Sequence, residues 1–165
     1  MEISELAERY SAGTSERCKA IFSTLFIAAN RLQTLFDHRI PRLTLRQFML
    51  LSIARQPAEP LTLTELGKLL GCSRQNVKKL ALSLEQKGFA RLCRSQYDAR
   101  ALTLVPTETA EEYFRTEFPQ YAGELGTLFS VYSEDEVRTL FELMMRMYAG
   151  LDKLEALTLK GEEEK

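Results

Sequence analysis

The 165-residue chain is 45% hydrophobic and 27% charged, with 22 basic against 23 acidic side chains, enough apolar material to bury a real core. No apolar run reaches the roughly 18 residues of a membrane span. Three scattered cysteines (Cys18, Cys72, Cys93) and a single histidine (His38) offer neither a disulfide framework, nor a zinc cluster, nor a His-based triad. The acidic opening Met1-Glu2-Ile3-Ser4-Glu5 is unlike a signal peptide. The expectation is a soluble, cytoplasmic protein without cofactor or metal, and not an enzyme.

From Ser15 to about Ile40, Ile21, Phe22, Leu25, Phe26, Ala29, Leu32, Leu35 and Phe36 recur at spacings of three and four. That spacing predicts one apolar stripe on a long helix, ended by Pro41. Thr44 and Gln47 form a capping-box pattern opening a second helix that carries Phe48, Leu51 and Ala54. Leu61-Thr62-Leu63 reads as a short strand. Thr64 is the expected N-cap of a short helix with Leu66, Leu69 and Leu70, stopped by Gly71. Ser73 caps the next helix, which runs to Lys87 and stops at Gly88, with Cys72 and Val77 placed as a hydrophobic staple. Only Gly71 and Cys72 separate the two helices.

Two short strands follow, Phe89–Arg94 and Ala101–Val105. Helix, tight turn, helix and hairpin together make a winged helix-turn-helix. Glu108, Glu111 and Glu112 suit the first turn of a further helix opened by Pro106-Thr107, and Pro119 should break it. Ser133 and Glu136 repeat the capping box ahead of a long stripe through Val137, Leu140, Phe141, Met144, Met147, Tyr148, Leu151 and Leu154. The fold class is mainly α with a small β-wing, in one domain over 1–165. A winged core at 44–106 lies between long helical segments at 15–41 and 107–157, with a disordered tail at 158–165.

The net charge of −1 hides an asymmetry: residues 1–72 carry +2, residues 73–107 carry +5 and residues 108–165 carry −8. A compact basic block is the footprint of a polyanion contact. Around the helix that starts after Ser73, Val77, Leu80, Ala81 and Leu84 share an apolar face expected to pack on Leu66 and Leu69. Gln75, Lys79, Leu82 and Gln86 lie opposite, bordered by Asn76, Lys78 and Ser83, with no acid before Glu85. Gln and Asn suit an adenine edge, and Lys suits guanine or phosphate. The predicted contacts to double-stranded DNA on this helix are Ser73, Arg74, Gln75, Asn76, Lys78 and Lys79. A protein–protein module of the same fold would not need this basic face.

The run Leu63 to Thr107 resembles the DNA-binding core of the MarR family of transcription regulators. The resemblance rests on Leu63-Thr64-Glu65-Leu66, Leu69-Leu70-Gly71, Ser73-Arg74-Gln75-Asn76-Val77, Leu84-Glu85-Gln86-Lys87-Gly88-Phe89 and the wing signature Asp98-Ala99-Arg100. The chain departs from the family with Gly67 for Ala and Leu92 for Arg. The resemblance implies a homodimeric regulator, expected to be a repressor, whose long terminal helices interlock with a second copy over a near-palindromic operator. It implies wing contacts to DNA at Arg91, Arg94, Asp98 and Arg100, with Asp98 stiffening the wing tip and Arg100 entering the minor groove. It further implies release by a small aromatic or anionic effector, with His38, Arg42 and Arg46 as candidate ligands. A thiol redox sensor using Cys18 is the alternative within the same fold.

Overall fold

The computed structural model describes residues 13–163, with side chains for all of these except 120 and 158–163. In chain order the elements are α1 (Thr14–Arg39), α2 (Leu45–Ala54), α3 (Leu63–Leu70), α4 (Arg74–Gln86), β1 (Ala90–Arg94), β2 (Leu102–Pro106), α5 (Glu108–Thr116), α6 (Pro119–Phe129) and α7 (Glu134–Glu163). The architecture is helical with one antiparallel hairpin, as the spacing predicts. Two compact units divide it, one through Pro119 and one from Gln120. Helix α5 therefore belongs with the winged core, and α6 and α7 form the second unit. Among the described residues no helix is long and apolar enough to cross a membrane.

Helices start where a side chain satisfies their first amides. Thr44 accepts from the Gln47 amide while Gln47 Oε1 accepts from the Thr44 amide, the predicted box of α2. Ser133 and Glu136 do the same for α7. For α3 the cap is Thr62 and not Thr64. Glu65 lies three residues beyond Thr62, and its carboxylate accepts from the Thr62 amide at 2.7 Å. This earlier start consumes the expected strand at Leu61–Leu63, leaving a single bridge between Thr62 and Thr103. The amide bonds from Thr62 and Ser133 hold the Glu65 and Glu136 carboxyls below their ordinary value of 4.5.

The turn between α3 and α4 is set by two glycines. Gly71 sits at φ 62, in the left-handed region that glycine enters without a Cβ penalty. At Gly67 the turn passes so close that a Cβ would lie 2.7 Å from the Cys72 carbonyl oxygen. That approach explains why glycine stands here in place of alanine.

The core of the first unit gathers Leu50, Leu51, Leu66, Val77, Leu84 and Leu104, all at or near zero exposure. Leu69, expected to join them, is 59% exposed; Leu70 packs on the core in its place. Its position one residue round the helix turns Leu69 to the surface. Phe48 stacks on Phe118 at 4.7 Å between ring centroids, and Phe89 meets Tyr113 edge-on at 5.5 Å, which seats α5 against α2 and the base of the wing. Truncating Leu66 to alanine should cost about 2–5 kcal/mol, since the side chain is fully buried and its loss leaves a cavity. A denaturant titration checks it through the midpoint shift.

In the hairpin Leu92 pairs with Leu104 and Cys93 with Thr103. Leu92 is partly buried against the core, so an apolar residue there, in place of the family's arginine, completes packing on Leu104. At the far end, α7 runs helical to Glu163, against the expected disordered tail from residue 158; residues 164–165 lie outside the described part. The polar run Gly161-Glu162-Glu163-Glu164-Lys165 suggests a tail by composition alone, yet the helix in front of it continues to Glu163.

Candidate nucleic-acid interface

The position of α4 follows from its two faces. Val77, Ala81 and Leu84 are fully buried, while Gln75, Lys79, Leu82 and Gln86 are exposed on the other side, flanked by Asn76 and Lys78. Ser73 Oγ accepts from the Asn76 amide at 3.3 Å, so Ser73 serves as the cap that opens this face. Arg74 follows at the first helical position and is exposed. All six helix residues expected to touch DNA are therefore exposed along the N-terminal half of α4.

Arg91 and Arg94 on β1, and Asp98 and Arg100 in the loop between the strands, are also exposed. Asp98 accepts from the Arg100 backbone amide at 2.8 Å, and its own carbonyl accepts from the Ala101 amide. Ser95 Oγ accepts from the amides of Tyr97 and Asp98. The aspartate thus stiffens the turn through the backbone and leaves the Arg100 guanidinium available. Gln96 reaches out of the wing to Glu59 in the α2–α3 loop at 3.1 Å, a tether without a signature in the sequence. Beside it, Tyr97 stands 82% exposed at the tip.

Among the described residues, Arg74, Lys78, Lys79, Arg91, Arg94 and Arg100 make no ion pair with a carboxylate. Six cations with no internal partner on one helix and one hairpin are available to phosphate. Lys87, the seventh basic residue of the block, is exposed but has its ammonium engaged within the protein. Its Nζ donates to the Arg42 carbonyl at 2.6 Å and to Gln47 Oε1 at 2.9 Å. Glu85, the acid that closes the basic face, accepts from the Leu92 amide at 2.8 Å and ties the wing to α4.

The other candidate residues are spread over the end of α1, the turn after it and the start of α2. Arg42 pairs with Glu117 at 2.9 Å and lies 4.7 Å over the Phe89 ring. Arg46 donates to Gln33 at 3.3 Å, and His38 is exposed near the end of α1. None of the three lines the hollow of about 420 Å³ bounded by Arg55, Glu108, Glu111 and Phe114. There Arg55 bonds to Glu111 and lies over Phe114, and the pair holds the Glu111 carboxyl below its ordinary value. Cys18 is exposed on α1. Among the described residues no group of three or more His, Cys, Asp or Glu side chains is placed to hold a metal ion.

With this geometry in view, a family model described as MarR family matches residues 43–101. The transcriptional repressor MprA of Escherichia coli (strain K12) is 30% identical over 139 residues, which cover 84% of this chain and 67% of that protein. The crystal structure of a MarR/EmrR family transcriptional regulator from Acinetobacter sp. ADP1 superposes with a TM-score of 0.71 at 16% identity, over 82% of this chain and 96% of that one. The S. aureus MepR–DNA complex gives a TM-score of 0.68 at 20% identity, over 79% and 97%. The structural likenesses establish the fold; the sequence likeness to MprA reaches well beyond the winged core.

Proposed function

The chain belongs to the MarR family, and on that premise we propose that it is a sequence-specific DNA-binding transcriptional repressor, acting as a homodimer on a near-palindromic operator. One observation carries the reading: the outward face of α4 and the adjoining wing present six cations and several amide side chains, with no acid on the helix face before Glu85. Amide side chains on an exposed helix suit base edges in the major groove, and a guanidinium on a thin hairpin suits the narrow minor groove.

The second copy is called for by apolar surface that one chain leaves in water. Helix α1 has no buried residue, with Phe22 63% and Phe26 60% exposed. On α7, Phe141 and Tyr148 are exposed to a similar degree. Monomers rarely tolerate such contiguous patches, and a two-fold partner would cover the same stripe on both chains at once. The paired recognition helices would then meet half-sites about one helical turn apart.

A binding titration at two salt concentrations tests the proposal. Each phosphate neutralised contributes about −0.9 to the log–log slope, so three contacts from each of two copies predict a slope on the order of −5. Binding to a selected duplex that is indifferent to salt would contradict it.

A further inference from the structure

The turn between α1 and α2 carries a polar network that phosphate and base contacts leave unused. Arg42 has φ 68 and is the one non-glycine residue with positive φ among those described. A residue with a Cβ holds this backbone only where its surroundings over-determine it. Here the surroundings are specific. The Arg42 carbonyl accepts from Lys87 Nζ at 2.6 Å, and its guanidinium is held by Glu117 and Phe89.

Gln47 is the centre of the network. It is 6% exposed, and both polar atoms of its side chain are engaged. Its Oε1 accepts from the Thr44 amide at 3.1 Å and from Lys87 Nζ at 2.9 Å, while its Nε2 donates to Ser83 Oγ at 2.8 Å. Ser83 and Lys87 lie one turn apart at the C-terminal end of α4. One buried amide therefore grips the helix at two points on one edge, and the Arg42 carbonyl grips it again through the same ammonium.

Apolar packing of Val77, Ala81 and Leu84 is strong but has no preferred direction, so by itself it tolerates small rotations of α4 about its axis. Base recognition does not tolerate them: side chains must be held within about 10–20° of the productive setting. Directional hydrogen bonds from a fixed helix supply that constraint, and α2 is itself fixed by the capping box that the same Gln47 completes.

We infer that Gln47, with Lys87 and the Arg42 carbonyl, is a positioning residue for base recognition, setting the rotation of α4 so that Gln75 and Lys79 meet the base edges. The inference rests on the reading of α4 as the helix that enters the major groove. It separates two functions within the basic block: six cations serve the nucleic acid, while Lys87 serves the geometry.

The test uses the full chain and a duplex selected from a random pool, with a panel of single-base variants at two salt concentrations. Gln47→Leu should melt cooperatively and keep the salt slope, yet its discrimination at the base pairs read by Gln75 should fall by about tenfold. Amides of α4 should exchange faster with solvent. Gln47→Glu can still accept from Lys87, from the Thr44 amide and from the Ser83 hydroxyl, so it should restore discrimination. Lys87→Met, at an exposed position, provides the same reading if Gln47→Leu folds poorly, and it too should leave the salt slope unchanged. Discrimination by Gln47→Leu equal to that of the unaltered chain, while Gln75→Ala loses it, would overturn the positioning role and leave the proposed function standing. A drop in salt slope on Lys87→Met would assign Lys87 to phosphate and overturn it likewise. Failure of the unaltered chain to bind any duplex would contradict the proposed function itself, and the inference with it.

Discussion

A chain ended after Ser133 should be monomeric and should bind the selected duplex roughly 10²–10⁴-fold more weakly than the full chain. The deletion removes α7 and with it Val137, Phe141, Tyr148 and Leu151, an apolar stripe that one copy leaves largely in water. Linking two recognition helices through a dimer makes binding at the second half-site intramolecular, and that advantage disappears with the interface. The winged core forms a compact unit ending at Pro119, so its secondary structure should survive. Phe141→Glu in the full chain is the gentler version, placing a charge on the same stripe without shortening the helix. Analytical ultracentrifugation and a binding titration read both variants; a monomer that keeps the affinity of the full chain would dismiss the dimer.

Gln75→Ala and Arg100→Ala should both weaken binding, in different ways. Gln75 stands on the outward face of α4, opposite the buried Val77, Ala81 and Leu84. Its removal should cost about 1–3 kcal/mol on the best site and relax the preference at one base pair in each half-site. Arg100 stands on the wing, its backbone fixed by Asp98 and its guanidinium without a carboxylate partner among the described residues. A guanidinium in a minor groove senses width and charge more than base identity. Arg100→Ala should therefore weaken binding to most sequences and leave the major-groove consensus intact, with the salt slope smaller by about one for every phosphate that Arg100 neutralises. Both residues are exposed, so melting temperatures should hardly move. The reverse pattern, with Arg100→Ala altering the consensus and Gln75→Ala lowering all affinities equally, would exchange the roles of helix and wing.

Much of this site is legible in the sequence because it depends on local chemistry. The two faces of α4 follow from the helical period, its cap from Ser73 and its stop from Gly88, and the hairpin from two short strands around a polar turn. Where two local signals compete, the sequence is ambiguous. Thr64 has the chemistry of a cap, but Thr62 has the glutamate three residues on that completes a capping box, and the helix starts there. Leu69 and Leu70 both look like core, yet Leu70 packs on it and Leu69 is left at the surface. What stays hidden is long-range and polar. Gln47 reads as one half of a capping box, with nothing to say that its amide also reaches Ser83, 36 residues on. Lys87 counts as one more cation in a basic run until the fold turns it toward Arg42. The Gln96–Glu59 tether spans 37 residues and leaves no periodic trace. Periodicity records which face is apolar; it does not record which polar side chain bridges two elements.

Whether two copies of α4 and its wing read a two-fold symmetric DNA site is tested most directly by selecting bound duplexes from a random pool with the purified full chain. The predicted outcome is an inverted repeat whose half-sites are centred about 10 base pairs apart, recovered by a dimer and released as salt rises. Enrichment of a single unpaired motif, or of no sequence at all, would contradict it.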